Sequence, residues 1–432
     1  MALLQSLRRF LGLTAPSIRA RSIDTNFAVF REGDRVLVHS KNPQLTKPLR
    51  QGDKTHLRRG HLDHDRVIGN PVWGAVQAHR GPETRLSLPT LEEYVALTPR
   101  MVTPIYAQDA SLIVSLLDIH VESPADRATQ PPLEILEAGT GHGSLTLHLA
   151  RAIQAANPIP PPRPTRSQIQ FLEDRPRRPG EDGSDEQAAD TESAGITPVQ
   201  QQWDTWRAQR NAVIHTVDVS AKFSALAEKN VQGFRRGIYA GNVDFYVGHV
   251  ENWIAQQTKQ RTKTGILNSL TGATAVDPFL SYAILDMPSA HLRIPHVAPV
   301  LKQNGLLIVF MPSITQIGEC TELIRKQRLP FVQQRVVELG AGLTSGRLWD
   351  VRFAVKKSGA DPASWGASSD AEDGAAAAEP EEELPNAIDG AVDAPETPAV
   401  AEDAVLVCRP KVGVRTFGGG FVGVWRRIED RG

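Results

Sequence analysis

Residues 133–155 read Leu-Glu-Ile-Leu-Glu-Ala-Gly-Thr-Gly-His-Gly-Ser-Leu-Thr-Leu-His-Leu-Ala-Arg-Ala-Ile-Gln-Ala, and few folds accommodate that order. Leu133 to Ala138 is a short apolar run that follows Pro131 and Pro132, which marks an abruptly begun strand. Gly139, Gly141 and Gly143 permit a tight turn and let a ligand come close to the backbone. From Ser144 the period becomes helical, with Leu145, Leu149 and Ile153 on one face. Strand, glycine loop and helix make the first βα unit of a doubly wound sheet, whose ligands sit at the carboxyl ends of the strands. The glycines name no ligand. A dinucleotide site has G-x-G-x-x-G, whereas the spacing here is G-x-G-x-G with Glu137 ahead of it. On the loop alone, an NAD-binding turn and a ligand-free turn both stay open.

Further along the chain, the pattern repeats its polar punctuation. Ala212-Val-Ile-His-Thr-Val-Asp218 is an apolar strand ending in an acid, placed where such a group can accept both hydroxyls of a ribose. Asn242 to Val247 supplies a third strand, with His249 and Val250 in the loop after it. Tyr282-Ala-Ile-Leu-Asp286-Met-Pro is another strand closed by an acid and a proline turn. Leu306 to Phe310, Phe331 to Leu339, Leu348 to Val355, Val405 to Arg409 and Phe421 to Arg427 read as late strands. Ahead of all this, Phe27 to about Pro89 is β-rich, with Gly33-Asp34, Gly52-Asp53, Gly69-Asn70-Pro71 and Gly81-Pro82 as turns. His56, His61 and His64 in that region lack a helical register and a fourth ligand, so they read as hydrogen-bonding turn residues, not a metal site.

Three stretches break the periodicity: 157–211, opened by five prolines, 258–277, and 358–403. They are expected to be disordered insertions. The last one governs the charge. Asp361 to Asp403 holds thirteen acids and no Lys or Arg, so a net charge of -1 for the whole chain leaves +12 on the rest. A body of that sign suits a polyanionic partner. No run of 18 apolar residues is present, and the two cysteines, Cys320 and Cys408, suggest neither a disulfide framework nor a zinc site. Residues 1–22 carry Arg8, Arg9, Arg19 and Arg21, no acid, and an apolar helical face through Leu3, Leu4, Leu7, Phe10 and Leu11. That is the pattern of a mitochondrial presequence, which would send the mature protein to the matrix.

Glu137-Ala-Gly-Thr-Gly-His-Gly resembles motif I of class I S-adenosylmethionine-dependent methyltransferases. Together with Ser144-Leu-Thr it looks like the tRNA adenine-N1 methyltransferases that modify the T-loop adenine. Phe30-Arg-Glu-Gly-Asp, His61 to His64 and Val67-Ile-Gly69 resemble the amino-terminal barrel of the same family. Ile105-Tyr-Ala-Gln108-Asp109-Ala-Ser111 resembles its segment closing over the cofactor, Pro312-Ser-Ile-Thr-Gln316 its Pro-x-Ile-x-Gln, and Arg347 to Arg352 a further segment. Two departures stand out. Ala290 and His291 replace the second proline and the tryptophan of the family's Leu-Asp-Leu-Pro-x-Pro-Trp, and Phe417-Gly-Gly-Gly replaces a final Gly-His-Thr-Gly.

The resemblance implies an α/β fold: a Rossmann-like, seven-stranded class I methyltransferase domain over 91–427, behind a small β-barrel-like domain over 27–90. It implies S-adenosylmethionine as cofactor and N1 of adenine 58 of tRNA as methyl acceptor. It implies a cofactor shell of Gln108, Asp109, Ser111, Glu137, Gly139, Thr140, Gly141, Gly143, Ser144, Asp218, His249, Val250 and Asp286, with Asp286 also the catalytic group. Asp109 and Ser111 read equally as helix-start residues. The assembly implied is a homotetramer or a pairing with a non-catalytic subunit. A tRNA-binding subunit without turnover, and a methyltransferase of another substrate, are the competing readings.

Overall fold

The computed structural model describes residues 23–40, 42–57, 60–79, 83–122, 131–173, 197–264, 276–340, 349–355, 404–410 and 419–429. The presequence over 1–22, the acidic segment over 358–403, Arg347 and the Phe417 turn lie outside the described residues. So do 174–196 and 265–275 of the other two expected insertions.

The amino-terminal part forms strands β1 (Leu37–Val38), β2 (Gln44–Leu45), β3 (Lys54–His56), β4 (His61–Asp63), β5 (Ala75–Gln77) and β6 (Glu83–Ser87). Among the described residues they pair as a four-stranded antiparallel sheet, β2-β1-β6-β5, and a separate β3-β4 ribbon, so the pairing does not close into a barrel. Strands of two to five residues enclose a small core of Phe30, Val36, Val38, Leu49, Leu62, Val67 and Leu86. His64 is buried, accepting from the Arg50 N–H (3.0 Å) through Nδ1 and meeting Thr55 Oγ1 (2.8 Å) through Nε2, whereas His56 and His61, also expected in turns, lie in β3 and β4. This part is clamped to the rest by Arg236, whose guanidinium grips Asp34 through two 2.8 Å bonds and donates to the Val29 carbonyl.

Helix α1 (Leu91–Leu97) starts at a capping box, Thr90 with Glu93. α2 (Ala107–Leu117) leads to β7 (Leu133–Ala138) and α3 (Ser144–Ala152). The chain continues through β8 (Gln170–Phe171), α4 (Pro198–Ala208), β9 (Ala212–Asp218), α5 (Ala221–Gly233), β10 (Val243–Val247), α6 (Val250–Thr264), β11 (Leu280–Leu285), α7 (Ile294–Val297), β12 (Leu301–Met311), α8 (Ile314–Lys326) and β13 (Phe331–Gly340). It ends with β14 (Trp349–Val355), β15 (Ala404–Pro410) and β16 (Gly419–Arg427).

One sheet of eight strands carries the architecture, ordered β13-β16-β12-β11-β7-β9-β10-β8. β8 to β12 and β7 run parallel, and β16 slots antiparallel between β12 and β13. Strand order reverses between β7 and β11, which opens a crevice beyond their carboxyl ends. Alternation along β7 shows how both faces are filled. Ile135 points into a cluster with Ile113, Leu149 and Val231 of α2, α3 and α5, and Leu136 into one with Trp253, Ile294 and Ile317 of α6, α7 and α8.

Three expectations need correction. The stretch 157–211 is structured at both ends: Gln170–Phe171 adds an eighth, edge strand to the seven expected, and α4 is a regular helix. Thr197 caps α4 by accepting from Gln200 N–H with Pro198 at its first turn, and Trp203 and Trp206 anchor it, Trp206 donating to the Pro158 carbonyl at 3.2 Å. Likewise α6 runs through Thr264, past the expected boundary at 258. Finally, β14 and β15 are not strands of the main sheet. They pair with each other, from Trp349↔Pro410 to Val355↔Ala404, within a separate unit of residues 346–415. The place beside β12 is already taken by β16. Among the described residues no helix is long and apolar enough to cross a membrane.

Candidate active site

Backbone bonds tie the carboxyl ends of four strands, β7, β9, β10 and β11, together. Gly139 N–H donates to the Val217 carbonyl (2.9 Å), Asp286 N–H to the Ala138 carbonyl (2.8 Å), and Gly248 N–H to the Asp218 carbonyl (2.9 Å). At Gly139, φ is +101°, and a Cβ would lie 1.8 Å from the Asp286 carbonyl oxygen, so only glycine lets β7 and β11 meet here. Gly143 has φ +87° and lies against Ala227 of α5, a close approach of two helices. At Gly141, φ is +55°, a Cβ would touch the Val102 side chain at 3.6 Å, and the N–H donates to Asp218 Oδ2 at 3.2 Å.

Beyond these ends lies a cavity of about 420 Å³, within the range of small-molecule and cofactor sites. Its floor is the glycine loop, one wall is Asp218, Val219 and Phe223, and the other is Asp286, Met287 and Pro288. Val102 to Ile105 forms its lip. Ser144 Oγ, at the start of α3, fastens that lip by donating to the Ile105 carbonyl (2.7 Å), while His142 Nε2 of the loop reaches the Val95 carbonyl of α1 (3.3 Å). Asn230 of α5 holds the loop from behind, donating to the His142 carbonyl at 2.9 Å.

Three carboxylates converge on this space, and none has a cation within salt-bridge distance among the described residues. Burial, and then the nearby Asp286 and Asp218 charges, push Glu137 up to about 8, although Thr146 Oγ1 donates to it at 2.7 Å. Burial and the Asp218 charge push Asp286 up to about 7. Asp218 is also raised by burial, against the pull of the Ser220 and Gly141 N–H donors. Such a site holds uncompensated negative potential and favours a cationic ligand.

Of the residues marked in the sequence, Glu137, Gly139, Thr140, Gly141, Ser144, Asp218, Val250 and Asp286 line the cavity. Five do not. Gln108 turns its amide to Glu92, and Asp109 is buried in the first turn of α2. Ser111 is exposed, and neither it nor Asp109 caps α2, whose N-cap is Tyr106. Gly143 serves the turn and the packing on α5, and His249 lies behind Val250, its carbonyl accepting the Trp253 N–H at 3.0 Å. The sequence reading had Ile105 in the segment closing over the cofactor, but it did not mark Val102 to Pro104, His142 or Phe223 as site residues. His142 was visible inside the glycine motif itself, and Phe223 was legible only as an inward helix position.

The donor set fits S-adenosylmethionine: close backbone at the glycine loop, an acid at the end of the second strand, and an anionic pocket for a sulfonium and an ammonium group. The fold is that of the class I methyltransferases. A solved S-adenosylmethionine-dependent O-methyltransferase from Thermotoga maritima superposes with a TM-score of 0.51 at 15% identity, covering 94% of this chain and 97% of that one.

In sequence the likeness is narrower. Residues 29–72 match the TrmI-like N-terminal family model. The chain is 26% identical over 307 residues to the tRNA (adenine(58)-N(1))-methyltransferase TrmI of Thermus thermophilus, covering 71% of this chain and 83% of that protein. It is 28% identical over 131 residues to the tRNA (adenine(58)-N(1))-methyltransferase catalytic subunit TRM61 of Candida albicans, 30% of this chain and 36% of that one. The chain thus has the class I methyltransferase fold and is similar in sequence to the tRNA adenine-N1 enzymes.

Proposed function

We propose that this protein transfers a methyl group from S-adenosylmethionine to N1 of adenine 58 in the T-loop of tRNA, in the mitochondrial matrix. The observation that carries the reading is the pairing of an anionic, glycine-floored cavity with a TrmI-like amino-terminal domain clamped to the same body. The complete cradle also argues against a subunit that binds tRNA without turnover. The location rests on residues 1–22, and import of a full-length fluorescent fusion tests it. Assembly with other copies or with a second subunit is part of the proposal, and light scattering on the purified chain measures it.

The bound cofactor supplies a methyl group on a positively charged sulfur. Adenine N1 carries its own lone pair, so no protein base has to create the nucleophile. The chain's task is alignment, which is where proximity and orientation lower a barrier. Asp218 is placed to accept ribose hydroxyls, and the Gly139–Gly141 backbone to approach the methionine part. Asp286, at the switch point between β7 and β11, is placed to hold the adenine amino group or the cofactor ammonium. In its ionised form it also stabilises the positive charge that passes to the purine on alkylation. Val102 to Ile105 and Met287-Pro288 exclude water on either side. The target base has to leave its stack to reach this depth.

The test is methylation of an unmodified tRNA transcript by the purified protein, with nucleosides read by mass spectrometry. One 1-methyladenosine per tRNA is expected, and none when adenine 58 is replaced by guanine. Methylation that persists in the replaced transcript defeats the assignment.

A further inference from the structure

A second and larger cleft, of about 510 Å³, lies at the seam between the amino-terminal sheet and the methyltransferase body. Arg35, Lys47 and Arg50 enter it from the sheet, and Lys229 from α5. Leu97 and Pro99, at the end of α1, form its base. Lys47, Arg50 and Lys229 are exposed and Arg35 is half-buried. Among the described residues, none of these four side chains makes a hydrogen bond or an ion pair. That sets them apart from other arginines of the body. Arg236 is paired with Asp34, Arg207 and Arg210 with Asp244, Arg261 with Glu134, and Arg293 with Glu251. Among the described residues, the only acid lining the cleft is Asp53, whose carboxyl accepts the Lys54 N–H. That bond first, and the charges of Lys47 and Arg50 more weakly, hold it below the usual carboxylate range.

Four cations facing one carboxylate across a preformed gap repel one another, and that cost persists until an anion enters. Arg236 ties the amino-terminal part to the body, and Tyr94 Oη donates to the Asn230 carbonyl (2.9 Å), joining α1 to α5 next to Lys229. The walls are shared with the cofactor cavity. The chain that leaves the cleft at Pro99 becomes the lip at Val102, and the helix that carries Lys229 carries Asn230 and Ala227, which support the glycine loop. An extended polyanion lying in the cleft is therefore led towards the lip of the methyl-transfer cavity.

We infer that this cleft binds the phosphodiester backbone of the RNA substrate, with Lys47, Arg50 and Lys229 touching phosphates and Arg35 as the half-buried anchor. The identity of the polyanion rests on the function proposed above. Cations in this role position the substrate without reading its sequence. Neutralising any one of them lowers the slope of log affinity against log salt by about one.

The experiment measures binding of unmodified tRNA to the full-length protein over a salt series. The variants are Lys47→Gln with Arg50→Gln, Lys229→Gln alone, and Lys259→Gln on α6, which contributes nothing to the cleft. The double variant is expected to weaken tRNA binding on the order of tenfold at low salt and to lose about two units of slope, Lys229→Gln about one unit, and Lys259→Gln none. Melting temperature and cofactor affinity by calorimetry stay at wild-type values in all three, since the side chains are exposed and outside the cavity. Wild-type slopes in the cleft variants, or equal losses with Lys259→Gln, overturn the inference. Competition by inorganic phosphate beyond that by chloride at matched ionic strength is expected with the wild-type protein and lost in the double variant; if the double variant keeps it, phosphate acts elsewhere and the inference is overturned. Methylation is read separately. A wild-type chain that binds tRNA through the cleft but does not methylate adenine 58 defeats the proposed reaction and leaves the cleft standing.

Discussion

Glu134 and Glu137 lie three residues apart on the same strand, both buried, in opposite electrostatic circumstances. Glu134 accepts from Arg261 at 3.0 and 2.7 Å and meets His215 Nε2 at 2.9 Å. Burial alone would raise it, but these partners hold it below the usual carboxylate range. Glu137 has a threonine hydroxyl and two further acids for company, and burial above all raises it to about 8. The same contrast separates Asp244, gripped by Arg207 and Arg210 and held far down, from Asp218 and Asp286 at the strand ends. Glu134 and Asp244, which support the fold, have their counter-ions beside them. The acids at the carboxyl ends of β7, β9 and β11 leave that place to a ligand.

Removing a structural acid therefore costs stability. Asp244→Ala strands the Arg210 guanidinium, only 7% exposed, inside the body. Breaking such a buried pair costs about 3–5 kcal/mol, so a marked fall in the chemical-denaturation midpoint is expected. A midpoint within error of wild type would erase the distinction from that side.

Removing a site acid costs function instead. Asp286→Ala is expected to keep tRNA binding and fold while lowering single-turnover methylation on the order of 100-fold, roughly 2.7 kcal/mol of orientation and charge stabilisation. A rate within about threefold of wild type would move the alignment elsewhere.

Proton linkage gives a third, smaller effect. Folded-state values of about 8 for Glu137 and about 7 for Asp286 lie above their ordinary 4.5 and 3.8. Their contribution to stability is thus full below about pH 4 and lost as pH rises through about 7 to 8. A cationic cofactor reverses this by favouring the ionised acids. Its affinity should rise roughly tenfold from about pH 6 to about pH 8, with proton release on binding, and the thermal shift it produces should grow over the same range. Calorimetry in buffers of different ionisation enthalpy reads the protons directly. Flat affinity over that range would contradict the picture of uncompensated acids.

The smallest expected change sharpens the comparison most. Glu137→Gln keeps an oxygen for Thr146 and removes a charge that the free fold does not neutralise. Stability at about pH 8 should therefore shift by less than about 1 kcal/mol, upward if at all, while cofactor affinity falls. A large destabilisation would show that Glu137 belongs with Glu134.

Much of this site was legible in the chain because its signals are local. Three glycines two residues apart dictate a turn, and an acid that ends an apolar run has to sit at a strand end, so Glu137, Asp218 and Asp286 were marked without knowing their neighbours. Gln108, Asp109 and Ser111 misled, because membership of one short motif does not say which way each side chain points from α2. Helix α4 was legible too, in Thr197-Pro198 and the two tryptophans, but the proline-rich start of the stretch outweighed it.

The sequence by itself determined the strand–loop–helix unit, the doubly wound order that follows from it, and the excess of positive charge outside the acidic segment. These follow from backbone sterics, residue period and counting, none of which needs a distant neighbour. Only the tertiary structure decided which acids are paired, since Glu134 meets Arg261 across 127 residues of chain. It also decided that Val102 to Ile105 roofs the cavity and that Arg35, Lys47, Arg50 and Lys229 share one cleft. Charge acts through space over a few ångströms, and which side chains come within that range is set by packing on the two faces of the sheet.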